Sequence, residues 1–457
     1  MRFTKGTLGS HQIKQRTPLR GLCRLFLFLL CGVLVGFTLL VAAFALPVDA
    51  MERNVLLSIP TLDGSWGTGE EAYEQLLKGY ATTQLDNTTD ALMLLTAIHR
   101  SNESLITQAV NVYTYSGTNP RAYPTLLEYA QTGAEGMRDT AISWYWLGYL
   151  VLLKPLLMVF TYMDLRMLNM LLQGLLLIGI LVFLQKRGLS RYVLPFGLSL
   201  VCLTPMVLPF SFQFSTMFYI SAIAMLLLLY KTHWVLNRLG DAAFFLLIGM
   251  STAYFDFLTY PIASFGIPFL LLLLLKQDDK PRALWRMLLR CGAAWSLGYG
   301  GMWVSKWLLT ALLSNEPILD TLLAKITERT SLVDTTLSLH FTRMDVLKAN
   351  FAVFAKKPYL LLGAGTLLCY AIAYGKRRSA RRALSPALAL LFLCVAFLPI
   401  AWYLLFSNHS FNHAFFTSRT LWVSAFSILC LLSRFCEPLS DGGKSLPYAA
   451  CAKASGA

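Results

Sequence analysis

Charge is what this 457-residue chain has least of: only 14% of its residues are Asp, Glu, Lys or Arg, while 56% are hydrophobic. A soluble domain carries about 25% charged residues, so a water-facing surface could not be covered. That scarcity excludes a soluble enzyme and a disordered scaffold. Disulfide scaffolding is missing too. The nine cysteines, Cys23 to Cys451, fall in apolar runs or in the C-terminal tail, and no pair has metal-ligand spacing. They read as small packing residues. There is no P-loop and no G-x-G-x-x-G after a strand, which argues against nucleotide-driven work on this chain. No internal repeat of fixed period and no low-complexity region is visible.

The formal net charge of +15 looks like a nucleic-acid signal, yet its distribution argues against one. Half of the 24 acidic residues lie between 47 and 143 with only five basic ones, so that segment is net −7 and the rest +22. Such segregation suits membrane topology, in which Lys and Arg stay cytoplasmic. Runs of the length a bilayer needs, about 20 residues, occupy 22–46, 165–185, 192–209, 213–230, 240–256, 259–275, 288–312, 358–375, 383–405 and 419–434. Basic clusters separate several of them: Lys186/Arg187/Arg191, Lys231/Arg238, Lys276/Lys280/Arg282 and Lys376 to Arg382. With all of these inside, ten spans alternate without conflict and both termini are cytoplasmic.

Ala43-Phe44-Ala45 resembles a signal-peptidase site, but the run 22–46 exceeds the 7–15 residues of a signal core, so it is expected to remain as an anchor. Residues 144–161 are apolar but interrupted by Lys154-Pro155, and they open on Trp144, Tyr145 and Trp146. Counting them as a span would put every later basic cluster outside, so the expectation is a helix lying in the outer interface.

The expected organisation is therefore an all-α polytopic membrane protein of about ten transmembrane helices, or eleven if 144–161 crosses. A basic cytoplasmic N-terminus (1–21) precedes the first span (22–46). An extracytoplasmic helical loop (47–164) follows, containing TDALMLLTAIHRS, SLITQAVNVYTY and TLLEYAQ as helix-patterned stretches. Next come a transmembrane core (165–312), a second external segment (313–357) with an amphipathic ILDTLLAKITERTSL, C-terminal spans (358–434) and a tail (435–457).

Charges at membrane depth are costly and ask for a reason. Asp49 and Glu52 emerge just after the first span and share a helical face; they are candidate catalytic carboxylates, or simply solvated interfacial acids. Asp86 and Asp90, in LDNTTDAL, would bind sugar hydroxyls or a cation, or else cap the following helix. Asp256 and Tyr260, in FDFLTYP, sit at a Pro/Gly break between apolar runs, where backbone shaped around a cavity is tolerated. Lys306 would either hold a phosphate or snorkel to the interface. His409 and His413 lack an adjacent third ligand, so Arg419 clamping a pyrophosphate beside a histidine donor is the more natural chemistry.

This order of parts resembles the GT-C class of membrane glycosyltransferases, which includes the oligosaccharyltransferase catalytic subunit and the protein O-mannosyltransferases. The likeness runs over roughly residues 20–310: a first span, an external loop with acids near its start, juxtamembrane helices, and an Arg-containing DLRMLNMLLQGLLL opening the next span. It implies a polyprenyl-phosphate-linked sugar donor, an envelope glycan or polymer acceptor, and transfer on the outer face. Asp49 would be the base, Lys306 and Arg419 would steady the leaving phosphate, and Asp256 would line the sugar site. The short external loop PFSF, near 210–213, lacks the acid that metal-dependent members place there, so no cofactor is expected and a divalent metal is not indicated. Strings such as LDNTTDALML, FDFLTYP and NHSFNHAFFTSR also resemble multi-spanning membrane proteins of Gram-positive bacteria, which implies a bacterial plasma membrane. Two rivals remain: a transporter or flippase of lipid-linked glycans, and a non-catalytic envelope-assembly protein. The large external loop and the lack of a repeat tilt the reading towards an enzyme.

Overall fold

The computed structural model describes residues 18–62, 74–314, 317–334, 339–376 and 385–436. The N-terminal residues 1–17, the basic run 377–384 and the tail 437–457 lie outside the described residues. The chain begins with α1 (Pro18–Phe44), a continuous apolar helix, and turns at once into α2 (Asp49–Leu62). A unit outside the helical body, the external unit, follows: α3 (Asn87–Ile98), α4 (Leu105–Asn111), β1 (Tyr113–Ser116), α5 (Ala122–Thr132), β2 (Arg138–Ala141) and α6 (Leu150–Leu157). The body is α7 (Tyr162–Lys186), α8 (Val193–Ser199), α9 (Phe212–Tyr230), α10 (Asp241–Phe255), α11 (Ile262–Leu275) and α12 (Pro281–Leu313). A second excursion holds α13 (Ile318–Thr330), β3 (Val333–Asp334), β4 (Leu339–His340) and α14 (Arg343–Ala352). The chain closes with α15 (Lys357–Lys376), α16 (Pro386–Leu405), α17 (Ser407–Asn412), α18 (Ala414–Thr417) and α19 (Leu421–Phe435).

The protein is thus mostly helical and built for a membrane. Among the described residues five helical stretches are long and apolar enough to cross: Arg20–Phe44, Tyr162–Lys186, Phe212–Tyr230, Pro386–Leu405 and Ala414–Phe435. The other expected spans differ for local reasons. The run 192–209 is broken into α8 and short 3₁₀ turns, with Pro195, Pro205 and Pro209 inside it and Thr204 in the left-handed region at φ +50°. The break at Asp256–Pro261 leaves α10 and α11 at 15 and 14 residues, about 22 Å each against a core of about 30 Å. α12 is 33 residues long but mixes in Arg282, Arg286, Arg290 and Lys306. α15 meets α14 at an 87° bend.

Residues 144–161 form no long helix; α6 is eight residues, and Trp144, Tyr145 and Trp146 precede it as irregular chain. One departure from helix is the small sheet of the external unit, in which β1 and β2 pair antiparallel with Tyr113 opposite Ala141. It takes the C-terminal part of the stretch SLITQAVNVYTY, where Val and Tyr favour a strand.

Two cores result. One lies within the helical body, from Ile180 and Phe218 through Leu272 to Trp422 and Phe426. The other joins the end of α1 to the external unit through Leu40, Met51, Leu94, Leu126 and Leu153. α10 and α12 pack by direct backbone approach: a Cβ at Gly249 would lie 2.1 Å from the Trp295 carbonyl oxygen, and one at Gly298 would lie 2.2 Å from that of Leu246.

Candidate functional site

α3 begins where Asp86 caps it, accepting the Thr89 backbone N–H at 2.9 Å and the Thr89 hydroxyl at 2.9 Å. Asp90 lies one turn later and is fully buried. Opposite it, α7 presents Tyr162, Arg166, Asn169 and Gln173, spaced i, i+4, i+7, i+11 and so on one face. All four are buried. The start of α9 supplies the third side. The Tyr162 hydroxyl donates to Asp90, and the Phe212 backbone N–H donates to Asp90 Oδ1 at 3.1 Å. Arg166 stands 3.8 Å from Asp90 Oδ2 and donates to Asn87 Oδ1 at 3.0 Å. The Gln213 amide donates to Asp86.

The layer continues down α7. Asn169 Nδ2 donates to the Pro209 carbonyl at 2.9 Å and to Ser215 Oγ at 2.8 Å. Gln173 Nε2 donates to Asn169 Oδ1 at 3.0 Å, and the Tyr219 hydroxyl donates to the same oxygen at 2.6 Å. Burial raises the pKa of Asp86, and it raises that of Asp90 to about 7 against the opposing charge of Arg166.

A cavity of about 450 Å³ opens beside this layer. Its polar floor is Asn169, Ser215, Thr216 and Tyr219; its walls come from α6, α7, α9 and the end of α10. Leu152, Leu172 and Ile223, on its rim, are 58%, 41% and 48% exposed, so the mouth opens at an apolar part of the surface.

Around the same start of α9 sit two further expected residues. The Tyr260 hydroxyl donates to the Phe214 carbonyl. Arg419 lies 4.1 Å from the Phe214 ring centroid, and its charge opposes the effect of burial at Asp86. Its donors go to backbone carbonyls: Leu203 at 3.3 Å, Phe415 at 2.7 Å and Thr82 at 3.1 Å. Asp86, Asp90, Tyr260 and Arg419 are thus brought together, with Arg419 engaged as a fastener of three chain segments.

Asp256, His409 and His413 form a separate group. Asp256 accepts from the Thr259 backbone N–H at 2.9 Å and from its hydroxyl. The turn it closes holds Leu258 at φ +68°, a conformation a branched residue adopts only under constraint. His409 Nε2 donates to the Leu258 carbonyl at 2.7 Å, while Arg329 of α13 donates to its Nδ1 at 2.6 Å. That pattern describes a neutral imidazole, and burial with the nearby His413 and Arg329 holds its pKa well below the usual value. The two imidazole centroids are 4.9 Å apart. Among the described residues no group of three His, Cys, Asp or Glu converges as a metal site.

Asp49 and Glu52 stand elsewhere, in the first turn of α2, and both accept from Arg100, at 2.6 and 2.7 Å. The Asp49 side chain is 86% exposed, and Glu52 also accepts the Tyr129 hydroxyl at 2.7 Å. Neither lines a cavity described here. Lys306 is fully committed inside the protein, donating to the Val110 and Ala109 carbonyls at the end of α4. Arg166 entered the sequence reading only as the Arg of DLRMLNMLLQGLLL, and Tyr162, Asn169, Gln173 and Gln213 were not singled out from the sequence. The signal was present in the polar i, i+4, i+7, i+11 stripe of an otherwise apolar span.

No family model, curated protein or solved structure matches this chain.

Proposed function

We propose that the chain is an integral membrane glycosyltransferase that moves a sugar from a polyprenyl-phosphate donor to a cell-envelope acceptor on the outer face. One observation carries the reading: a groove of about 450 Å³ with apolar side chains exposed at its rim is floored by Asn169, Ser215 and Tyr219, and behind that floor the α7 polar stripe continues to the buried Asp90 and Arg166, which do not line it. An isoprenoid chain suits the apolar walls, and the sugar phosphate belongs at the polar end. In the transfer, the acceptor hydroxyl gives its proton to a carboxylate and its oxygen bonds to the sugar's anomeric carbon. The bond from that carbon to the phosphate oxygen breaks, and the electron pair leaves on the lipid phosphate. Asp90 is the carboxylate we assign as base, with Arg166 as the nearby cation; Asp49, beside Arg100, is the alternative base. The proposal also counts ten crossings, with Ser190–Leu203, α10, α11, α12 and α15 joining the five apolar stretches.

A flippase is the second reading. The stripe Arg166, Asn169 and Gln173 descends into a span and would hold an anionic headgroup without reacting. Reconstitution with radiolabelled polyprenyl-phosphate sugars decides. Label in the acceptor, lost in Asp90→Asn or in Asp49→Asn while the protein stays folded, supports transfer and identifies the base. Label that crosses without transfer supports the flippase. Label that does neither leaves a non-catalytic assembly role.

A further inference from the structure

We infer that a second groove, between α15 and the body, is a binding site for one membrane glycerophospholipid with an anionic headgroup. This inference is independent of the proposed reaction. α15 is an unusual helix: Leu360, Leu361, Leu367 and Leu368 are 59%, 72%, 58% and 61% exposed. It is fastened at two places. The Tyr359 hydroxyl is hydrogen-bonded to Thr82 at 2.7 Å, and the Tyr370 hydroxyl to Ser433 at 2.8 Å. Between them α15 stands away from α8 and α19, leaving a cavity of about 820 Å³.

The lining fits one lipid and its orientation. Leu194, Leu198, Leu361 and Leu362 make one part apolar, whereas Arg191, Tyr370 and Ser433 gather at the other end. The lining stretch Leu361–Ala373 is about 18 Å long, slightly more than one leaflet's share of a core of about 30 Å. Charge then specifies the headgroup. Arg191 stands at the polar end. A phosphate with a net negative headgroup is complementary to that end, and a zwitterionic one is less so.

Glycine positions give the test. A Cβ at Gly365, which lines the groove, meets nothing, and one at Gly363, which does not line it, also meets nothing. Gly365→Phe should plug the groove, and Gly363→Phe should leave it open. The full chain, delipidated in detergent, is titrated with phosphatidylglycerol or phosphatidylcholine and bound lipid is counted by native mass spectrometry. One phosphatidylglycerol per chain should be retained in preference to phosphatidylcholine. Arg191→Gln should cut that preference about tenfold, the scale of one charge-assisted hydrogen bond. Gly365→Phe should abolish retention and Gly363→Phe should not. If Gly365→Phe fails to give a monodisperse protein, Ala373→Trp serves as the plug. Equal retention of both lipids, retention unaffected by a folded plug, or a dimer that dissociates on plugging each overturns the inference; the last would mean that a second copy covers the groove.

Discussion

A lysine ammonium buried among apolar side chains must be repaid in hydrogen bonds, and two lysines here are repaid in the same way. Lys154, from α6, donates to the Ala97 carbonyl at 2.7 Å, near the end of α3; Lys306, from α12, donates to carbonyls near the end of α4. Helix C-termini present unpaired carbonyls and partial negative charge, so each ammonium completes one. Burial lowers the Lys154 pKa to about 8. Lys306→Met should therefore loosen the seat of the external unit on α12, lowering stability by about 1–3 kcal/mol. Thermal unfolding in detergent reads this directly. An unchanged midpoint, with loss of lipid-phosphate binding instead, would restore Lys306 to a ligand role. Asp90 gives a pH signature. Its folded pKa of about 7 lies above the ordinary 3.8, so the folded state binds the extra proton between those values and loses stability as pH rises through them. Asp90→Asn carries no such proton. Relative to wild type it should gain steadily from about pH 4 to pH 7, by up to about 4 kcal/mol. Parallel curves for the two proteins would show that Asp90 is not the titrating group.

At the scale of the element, the closest contact in the body is the crossing of α10 and α12, where Gly249 and Gly298 let one backbone lie against the other. Neither neighbour is a flexible side chain, so a methyl cannot be absorbed by a rotamer change. Gly249→Ala and Gly298→Ala should each destabilise by about 1–3 kcal/mol or more. Because both act on one contact, the double variant should cost less than their sum. Full additivity in thermal or denaturant unfolding would mean that the helices relax independently at the two positions. The elements also show what could be read in advance. Long apolar runs announced α1, α7, α9 and α16, and amphipathic spacing announced α13. The length of a run does not reveal where it breaks. Asp256 closes a turn with Thr259, and the run 192–209 is cut by prolines and by Thr204 at positive φ. Those features act through backbone geometry that hydropathy does not register. The candidate site was half legible: Asp86 and Asp90 stood out by charge. Their partners Tyr162, Arg166 and Gln213 reach them across 72 to 127 residues of chain, a pairing only the tertiary fold supplies. Asp49 was also marked by charge, and the fold sets it apart from that layer, in an exposed pair with Arg100.

Across the whole molecule, separate contacts define one basic end. Arg24 of α1 donates to the Arg238 carbonyl at 3.3 Å, Arg187 after α7 donates to the Leu229 carbonyl of α9 at 2.5 Å, and the Tyr192 hydroxyl donates to Gln277 beyond α11 at 3.1 Å. The start of α1 therefore lies at the same end as the C-termini of α7, α9 and α11, the end that carries Lys186, Lys231 and Lys276. The acidic external unit is seated at the other end, where Trp307 and Thr310 of α12 reach the Trp144 and Ser143 carbonyls at 3.2 Å each. α7, 25 residues and about 38 Å long, separates Asp164 from Lys186 by more than a hydrocarbon core. If the basic end faces the cytoplasm, as the positive-inside bias of Lys and Arg leads us to propose, the two ends of this one helix must differ in access. In a chain whose native cysteines are replaced, Asp164→Cys and Asp49→Cys should react with a membrane-impermeant maleimide added to intact cells. Lys186→Cys and Lys231→Cys should react only after permeabilisation. External labelling at Lys186 with protection at Asp164 would invert the protein, placing the polar layer and its groove towards the cytoplasm and removing the proposed outer-face transfer along with it.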